Sequence, residues 1–316
     1  MSPLSILRGR LASRYPLAAV LAGLLVAGLA LTGCAVPPAD RSGGPLLACA
    51  TINPWGSILS ELAGPRVRTV SIIDNPATDP HDYEPTPADA RLIARAAVFV
   101  ENGVGYDSWA ARAVRADPEP HRQLVDVGRV TGTPDGGNPH RWYSPSNVQT
   151  VAAAITAALQ RADPANSDYY ARRRQQFLTV GLAGYHQLID QLRQRYPGVP
   201  VGASESIVAP LVTALGLNLV TPSSFLRAVS EGTEPSTADK RRIDSQLANH
   251  RLTVYLLNSQ NAVPDVAEQA AAARRAGIPV VTVTETLAPA GASFASWQVD
   301  QLRRLSEALA SARSAR

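Results

Sequence analysis

The chain has 316 residues, with 30 Lys and Arg against 26 Asp and Glu, a formal charge of +4. Three of the cations, Arg8, Arg10 and Arg14, sit in the first 33 residues without an acid, so the remainder is near +1 and the basic balance does not argue for a nucleic-acid partner. Two cysteines exclude a disulfide framework, and 4 Phe and 4 Trp predict cores built from Ala, Val and Leu.

Behind those arginines an apolar run over residues 16–31 ends in Leu31-Thr32-Gly33-Cys34. A basic region, a short apolar region and small residues before a cleavage point describe an export signal, here residues 1–33, and the run is short for a membrane span. The Leu-Thr-Gly-Cys ending resembles a bacterial lipobox. That resemblance implies lipidation of Cys34 as the first mature residue, and two or more acyl chains there would hold the protein at the extracytoplasmic surface of a membrane. Residues 34–45 form a tether rich in Pro, Gly and Ser. Cys49, inside an apolar run, is expected to be a small buried residue without chemistry.

The mature part alternates strand-like and helix-like pieces. Strands are expected over 46–53, 67–73, 97–101 and 123–126, with helices over 55–63 and 86–94. Thr86-Pro87-Ala88-Asp89 starts the latter with a capping threonine, a first-turn proline and an acid at the third position. A helical pattern over 146–162 is interrupted by Asp163-Pro164, and residues 166–196 then continue for about 30 residues, roughly 45 Å of helix at 1.5 Å per residue. The alternation resumes with strands over 199–203, 218–221, 252–257 and 278–284 and helices over 207–215, 236–249, 264–276 and 294–310. The pattern predicts an α/β protein of two lobes, residues 46–163 and 197–316, each a parallel-rich sheet flanked by helices, joined by one long rigid helix over 164–196.

Four metal-capable residues follow these strands: His81, His140, Glu205 and Glu285. Ligands of open α/β sheets bind beyond the carboxyl ends of strands, so all four fall on the edge expected to carry function. Two imidazoles and two carboxylates suit a divalent transition ion, since the carboxylates cancel its charge and the ring nitrogens supply borderline-soft lone pairs. A single histidine in a Pro-rich loop is usually a solvated surface residue. Here two such loops occur, Asp79-Pro80-His81-Asp82-Tyr83-Glu84-Pro85 and Asn138-Pro139-His140-Arg141-Trp142-Tyr143-Ser144-Pro145, and their prolines limit movement as a preorganised ligand requires. A glutamate near a helix start more often serves the helix dipole, so Glu205 and Glu285 gain weight only beside the histidines. His121, His186 and His250 are given no role. Tyr83, Trp142 and Tyr143 are expected to pack at loop bases more than to wall a cleft.

With these residues in view, the chain from Leu46 onward resembles the metal-binding lipoproteins of bacterial zinc and manganese ABC importers, the cluster A-I solute-binding proteins. The stretch Asp79 to Pro87 matches that family's first-ligand motif almost residue for residue, and His140 matches its second histidine. Gly216-Leu217, eleven residues beyond Glu205, aligns Glu205 with the third ligand, and Thr284-Glu285-Thr286 resembles the fourth motif, with Glu where Asp is usual. Ser230 to Ser236 and Asp163-Pro164-Ala165-Asn166 also resemble family stretches. The chain departs from the family at Asn138 and Ser144, where aspartates are usual, and in carrying no His-rich acidic loop between the first two ligands.

The resemblance implies a monomeric, lipid-anchored carrier, not an enzyme, which binds a divalent ion between its lobes and delivers it to an ABC-transporter permease. Oxygen-rich ligands and the missing His loop favour Mn2+, with Zn2+ next and Fe2+ possible by ligand type. The rival readings are a secreted metallohydrolase, which would need an open coordination position and a general base, and a two-lobed lipoprotein for a cobalamin or iron chelate, which would leave both X-Pro-His loops without purpose.

Overall fold

The computed structural model describes residues 45–75, 78, 83–261 and 263–314. The leader, Cys34, residues 35–44 of the tether and His81 lie outside the described residues, and Asp79, Pro80 and Asp82 with them.

Two four-stranded sheets organise the chain. The first has the order β2-β1-β3-β4, with β1 at Leu46–Ile52, β2 at Val67–Ile73, β3 at Val98–Glu101 and β4 at Gln123–Asp126. The second repeats that plan in the order β6-β5-β7-β8, with β5 at Pro200–Ala203, β6 at Asn218–Leu219, β7 at Val254–Asn258 and β8 at Val280–Val283. Every pairing is parallel, with Cys49 opposite Phe99 in the first sheet and Gly202 opposite Tyr255 in the second. Parallel pairing aims all the carboxyl ends of a sheet the same way, and helical crossovers cover its faces.

The helices of the first half are α1 (Asn53–Ala63), α2 (Pro87–Arg95), α3 (Ser108–Ala116), α4 (Val127–Thr131) and α5 (Pro145–Ala162). Helix α2 starts as its sequence predicts. Thr86 Oγ1 accepts from Asp89 N at 3.3 Å, Asp89 Oδ2 accepts from Thr86 N at 2.7 Å, and Pro87 occupies the first turn, where no N–H is needed. Helices α3 and α4 were not expected from the periodicity. The first is a single amphipathic stretch of nine residues and the second five, ended by Gly132 in the left-handed conformation.

The connection between the halves is not one uniform helix. It runs as α6 (Ser167–Gln176), a π turn over Phe177–Gly181 and α7 (Ala183–Arg195). Leu182 N donates to Phe177 O at 2.8 Å, an i to i+5 bond. The sequence there, Thr179-Val180-Gly181, joins two β-branched residues to a glycine, three of the poorer α-helix formers, and the extra residue is accommodated by widening one turn. The second half adds α8 (Ala209–Ala214), α9 (Ser223–Ser230), α10 (Thr237–Ala248), α11 (Pro264–Arg275) and α12 (Phe294–Ser314). Ser236 Oγ accepts from Asp239 N at 3.1 Å and caps α10. Among the described residues no helix is long and apolar enough to cross a membrane.

The main core is continuous across both halves, from Ile52, Ile58 and Phe99 to Val201, Leu211 and Leu302. A second cluster, including Phe225, Ile243, Leu247, Tyr255 and Val266, fills the other face of the second sheet. Most of this interior is aliphatic, but the few large aromatics are not incidental to it. Trp55, Trp142, Trp297, Tyr143, Phe99 and Phe294 are all fully buried, several of them where the halves meet. Cys49 is buried and free, and desolvation pushes its thiol up to about 12, so it is an inert packing residue.

Replacing Thr86 by alanine removes one side of the capping box. A urea melt of Thr86→Ala is expected to show a loss of about 1 kcal/mol with an unchanged m-value.

Candidate metal centre between the two sheets

His140 is positioned by a stiff segment that follows β4 and α4. Asn102, at the end of β3, donates from Nδ2 to Pro139 O at 3.1 Å and accepts from Trp55 Nε1 at 2.9 Å. Arg141 grips the other side of the segment, with Nε and Nη2 on Asn147 Oδ1 at 2.8 and 2.6 Å and Nη1 on Asn138 O at 3.3 Å. The ring of His140 meets the indole of Trp142 edge-on, with centroids 5.3 Å apart, and Trp142 meets Trp55 and Tyr106 in the same manner. Trp142 and Tyr143 therefore pack at the loop base as expected. Ser144, one of the departures from the family pattern, accepts from Asn147 N at 3.4 Å and caps α5.

The two glutamates follow β5 and β8 of the second sheet. Glu205 is fully buried, and neutral donors surround it: Asn258 Nδ2 donates to Oε1, while Asn261 Nδ2 at 3.1 Å and Ser230 Oγ at 3.4 Å donate to Oε2. Asn258 is itself held, since its Oδ1 accepts from Gln260 N at 3.0 Å. Gln260 then clamps the next loop. Its Oε1 accepts from the N–H groups of Glu285 and Thr286, and its Nε2 donates to Thr286 Oγ1 at 2.6 Å.

From the first half, two groups reach Glu285. Tyr106 OH donates to Oε1 at 2.9 Å, and His140 Nε2 lies 3.3 Å from the same oxygen, with both His140 and Glu285 buried. Tyr106 is aimed by three successive left-handed residues, Gly103, Val104 and Gly105 at φ 67°, 57° and 80°. A valine there is strained, and the turn holds because Asp107 accepts from Asn102 N at 2.6 Å and Gly103 N at 2.8 Å. Tyr143 braces the strand end before Glu285, its hydroxyl proton lying between Thr284 O at 2.7 Å and Gln301 Oε1 at 2.8 Å. Burial, helped by the charges of Glu285 and Glu205, pushes the Tyr143 hydroxyl up, so it remains a neutral donor.

The structure thus brings His140 and Glu285 together. Glu205 joins them through a chain of hydroxyls: Ser230 Oγ, Ser206 Oγ at 2.8 Å from it, and His140 Nδ1 at 3.5 Å from Ser206. Among the described residues no group of three or more His, Cys, Asp or Glu side chains is close enough to hold one ion; His81 lies outside those residues. A cleft of about 540 Å³ opens alongside, lined by Tyr106, Asn138, Ser206, Leu226, Arg227 and Ser230. Sequence reasoning passed over Tyr106, Asn258 and Gln260. The Gly103-Val104-Gly105 spacing was the one available signal, since glycines around a single residue mark a turn that needs positive φ.

Below the Tyr106 turn, Glu101 ends β3 with its Oε2 buried and without a hydrogen-bond partner among the described residues. Burial first, then the charges of Asp107 and Asp126, push its carboxyl up to about 7 from 4.5. The folded state therefore binds a proton that the unfolded state has lost between those two values, and stability relative to Glu101→Gln falls as pH rises through that window and levels off above it. Urea midpoints of the two proteins from pH 4 to 8 check this; parallel curves contradict it.

A family model described as the periplasmic zinc-uptake complex component A, ZnuA, matches residues 49–308. The manganese-binding lipoprotein MntA of Halalkalibacterium halodurans is 29% identical over 165 residues, 49% of this chain and 53% of that protein. The zinc uptake protein ZnuA of Bacillus subtilis is 25% identical over 44% of this chain and 49% of its own length. The chain thus spans about half the length of these two relatives, but its match to the metal ABC transporter lipoprotein FimA of Streptococcus parasanguinis, at 22% identity, covers 90% of this chain and 97% of that one. Among solved structures, a manganese-bound mutant of the periplasmic metal-binding protein of candidatus liberibacter asiaticus superposes with TM-score 0.71 at 18% identity over 84% of this chain and 99% of its own. FpvC of Pseudomonas aeruginosa with Ni2+ gives 0.69 at 22% identity over 85% and 98%. At these identities the structures speak for the fold.

Proposed function

We propose, from the premise that this chain belongs to the family of the periplasmic zinc-uptake complex component A, that it is an extracytoplasmic solute-binding lipoprotein which captures a divalent transition metal and hands it to the permease of an ABC importer. The observation that carries the reading is the meeting of His140 Nε2 from one half with Glu285 Oε1 from the other, 3.3 Å apart and out of water. A ring nitrogen lone pair and a carboxylate oxygen attract each other only through a cation between them, a proton or a metal ion.

The ligand set we assign is His81, His140, Glu205 and Glu285, with Cys34 as the lipid-bearing residue and lobes over 46–163 and 197–316 on either side of the connecting segment. Two carboxylates cancel the charge of a divalent ion, and two imidazoles add donors that Mn2+, Zn2+ and Fe2+ all accept. Relatives named for manganese, for zinc and, in the iron-binding protein YfeA of Yersinia pestis, for iron support that range of cargo. We place Mn2+ first, because two potentially bidentate carboxylates give an oxygen-rich shell of up to six donors. Family membership supports transport over hydrolysis, and the closely held side chains at Glu205 and Glu285 support ion capture over a large organic chelate.

On this reading the loops that carry the two carboxylates are held before capture, by Asn258 and Asn261 at Glu205 and by Gln260 at Glu285, and Glu205 has to exchange its amide partners for the ion. Delivery follows when the docked permease separates the halves and splits the ligand set. Glu205→Ala removes one of two carboxylates and is expected to weaken Mn2+ and Zn2+ binding by at least roughly a hundredfold, more than loss of a supporting residue costs. Calorimetric titration of both ions into parent and variant tests it, and parent-like affinity in the variant would refute the site assignment.

A further inference from the structure

We infer that Asn138 sets which nitrogen of His140 faces the cleft between the halves, and that it ties this choice to the closeness of the halves themselves. The inference rests on the carrier reading above and assigns a role to a residue that stands outside the proposed ligand set.

The primary amide of Asn138 has two different ends, and its neighbours fix which end is which. Nδ2 lies 2.7 Å from the backbone carbonyl of Ser206, a group that can only accept. Oδ1 lies 2.9 Å from the backbone N–H of His140, a group that can only donate. The amide cannot be turned over without setting donor against donor and acceptor against acceptor. Oδ1 is therefore an acceptor, and His140 Nδ1, also 2.9 Å from it, must carry a hydrogen. In the neutral ring this leaves the lone pair on Nε2, the nitrogen 3.3 Å from Glu285 Oε1.

The same amide bridges the halves. Asn138 belongs to the segment after β4 in the first half, and Ser206 to the loop after β5 in the second, 68 residues away. Moving Ser206 away would release Nδ2 and remove one of the two restraints that orient Oδ1 toward the ring, leaving only the His140 N–H. An aspartate at this position could serve only one of the two functions. It would accept from Nδ1, but its second oxygen would face the Ser206 carbonyl, acceptor against acceptor. Asn138 thus exchanges a more basic histidine for a direct bond between the halves.

Two variants separate these functions. In the full chain, long-range proton–nitrogen NMR reports which ring nitrogen of His140 is protonated, with His140→Gln used to assign its signals. The parent is expected to show the Nδ1–H form alone, with the Nε2 signal shifting on addition of Zn2+. Asn138→Ala is expected to show both tautomers and a Zn2+ affinity lower by about 10- to 100-fold. Asn138→Asp is expected to keep the Nδ1–H form while releasing Zn2+ to excess chelator about tenfold faster, the loss of one hydrogen bond between the halves. A single Nδ1–H form in Asn138→Ala, or release from Asn138→Asp at the parent rate, overturns the inference. If instead the parent's own Nε2 signal ignores saturating Zn2+ and Mn2+, the carrier reading fails first and this inference with it.

Discussion

Two carboxylates buried on the same half of the molecule are the constraint around which the rest is arranged. Taking an ionised carboxylate out of water costs several kcal/mol unless its oxygens find donors and its charge finds a counter-charge. Asn258, Asn261 and Ser230 supply donors to Glu205, and Tyr106 supplies one to Glu285. All four are neutral. Amides and hydroxyls spread a carboxylate's charge without cancelling it, whereas the charge of a divalent cation is opposite in sign and equal in size to that of two carboxylates. The ring nitrogen 3.3 Å from Glu285 Oε1 comes from the opposite half, so a carboxylate on one sheet's loops and an imidazole mounted on the other face the same point, where a cation would satisfy both.

Parallel sheets make this arrangement economical. Each strand's carboxyl end within a sheet points to the same edge, so the last residue of β7, Asn258, and the segments leaving β3, β4, β5 and β8, which carry Tyr106, His140, Glu205 and Glu285, come to one region. Bonds between the halves then fix the two edges against each other. Leu287 N donates to Asn53 Oδ1 at 3.0 Å, Phe294 N to Ser57 Oγ at 2.8 Å, and Tyr143 OH reaches Thr284 O. Beneath these polar contacts the hydrophobic core runs without a break from one half to the other.

Much of the architecture was legible because it rests on local signals. Both sheets, the capped starts of α2 and α10 and the placement of His140, Glu205 and Glu285 after strands follow from apolar runs of strand length and from side chains at helix starts. What escaped notice depends on partners far along the chain. Tyr106 acquires its role from a residue 179 positions away and Asn138 from one 68 away, and neither separation leaves a mark in periodicity. The π turn was hidden for a different reason. One extra residue shifts the helical phase without interrupting the run of helix-compatible residues, so 166–196 looked like a single helix. Asn138 and Ser144, departures from the family pattern that resemblance alone could only register, separate once hydrogen bonds are seen: the first supports the histidine, the second caps a helix.

The continuous core limits the kind of motion by which a carrier, on the proposed reading, would release its ion. A wide opening would expose apolar surface shared by both halves at roughly 25 cal/mol per Å², and the connecting segment of α6, π turn and α7 offers no open hinge loop to absorb it. The site does not require such an opening. Hydrogen bonds at 2.7 to 2.9 Å from Asn138 to Ser206 and from Tyr106 to Glu285 are lost when their partners separate by about 1 Å, because little attraction remains beyond 3.5 Å. A small shear between the two sheet edges therefore suffices to disengage His140 from Glu285 while leaving each loop attached to its own sheet. On the proposed reading, ligands divided between two stiff halves would turn that sub-turn displacement into loss of coordination.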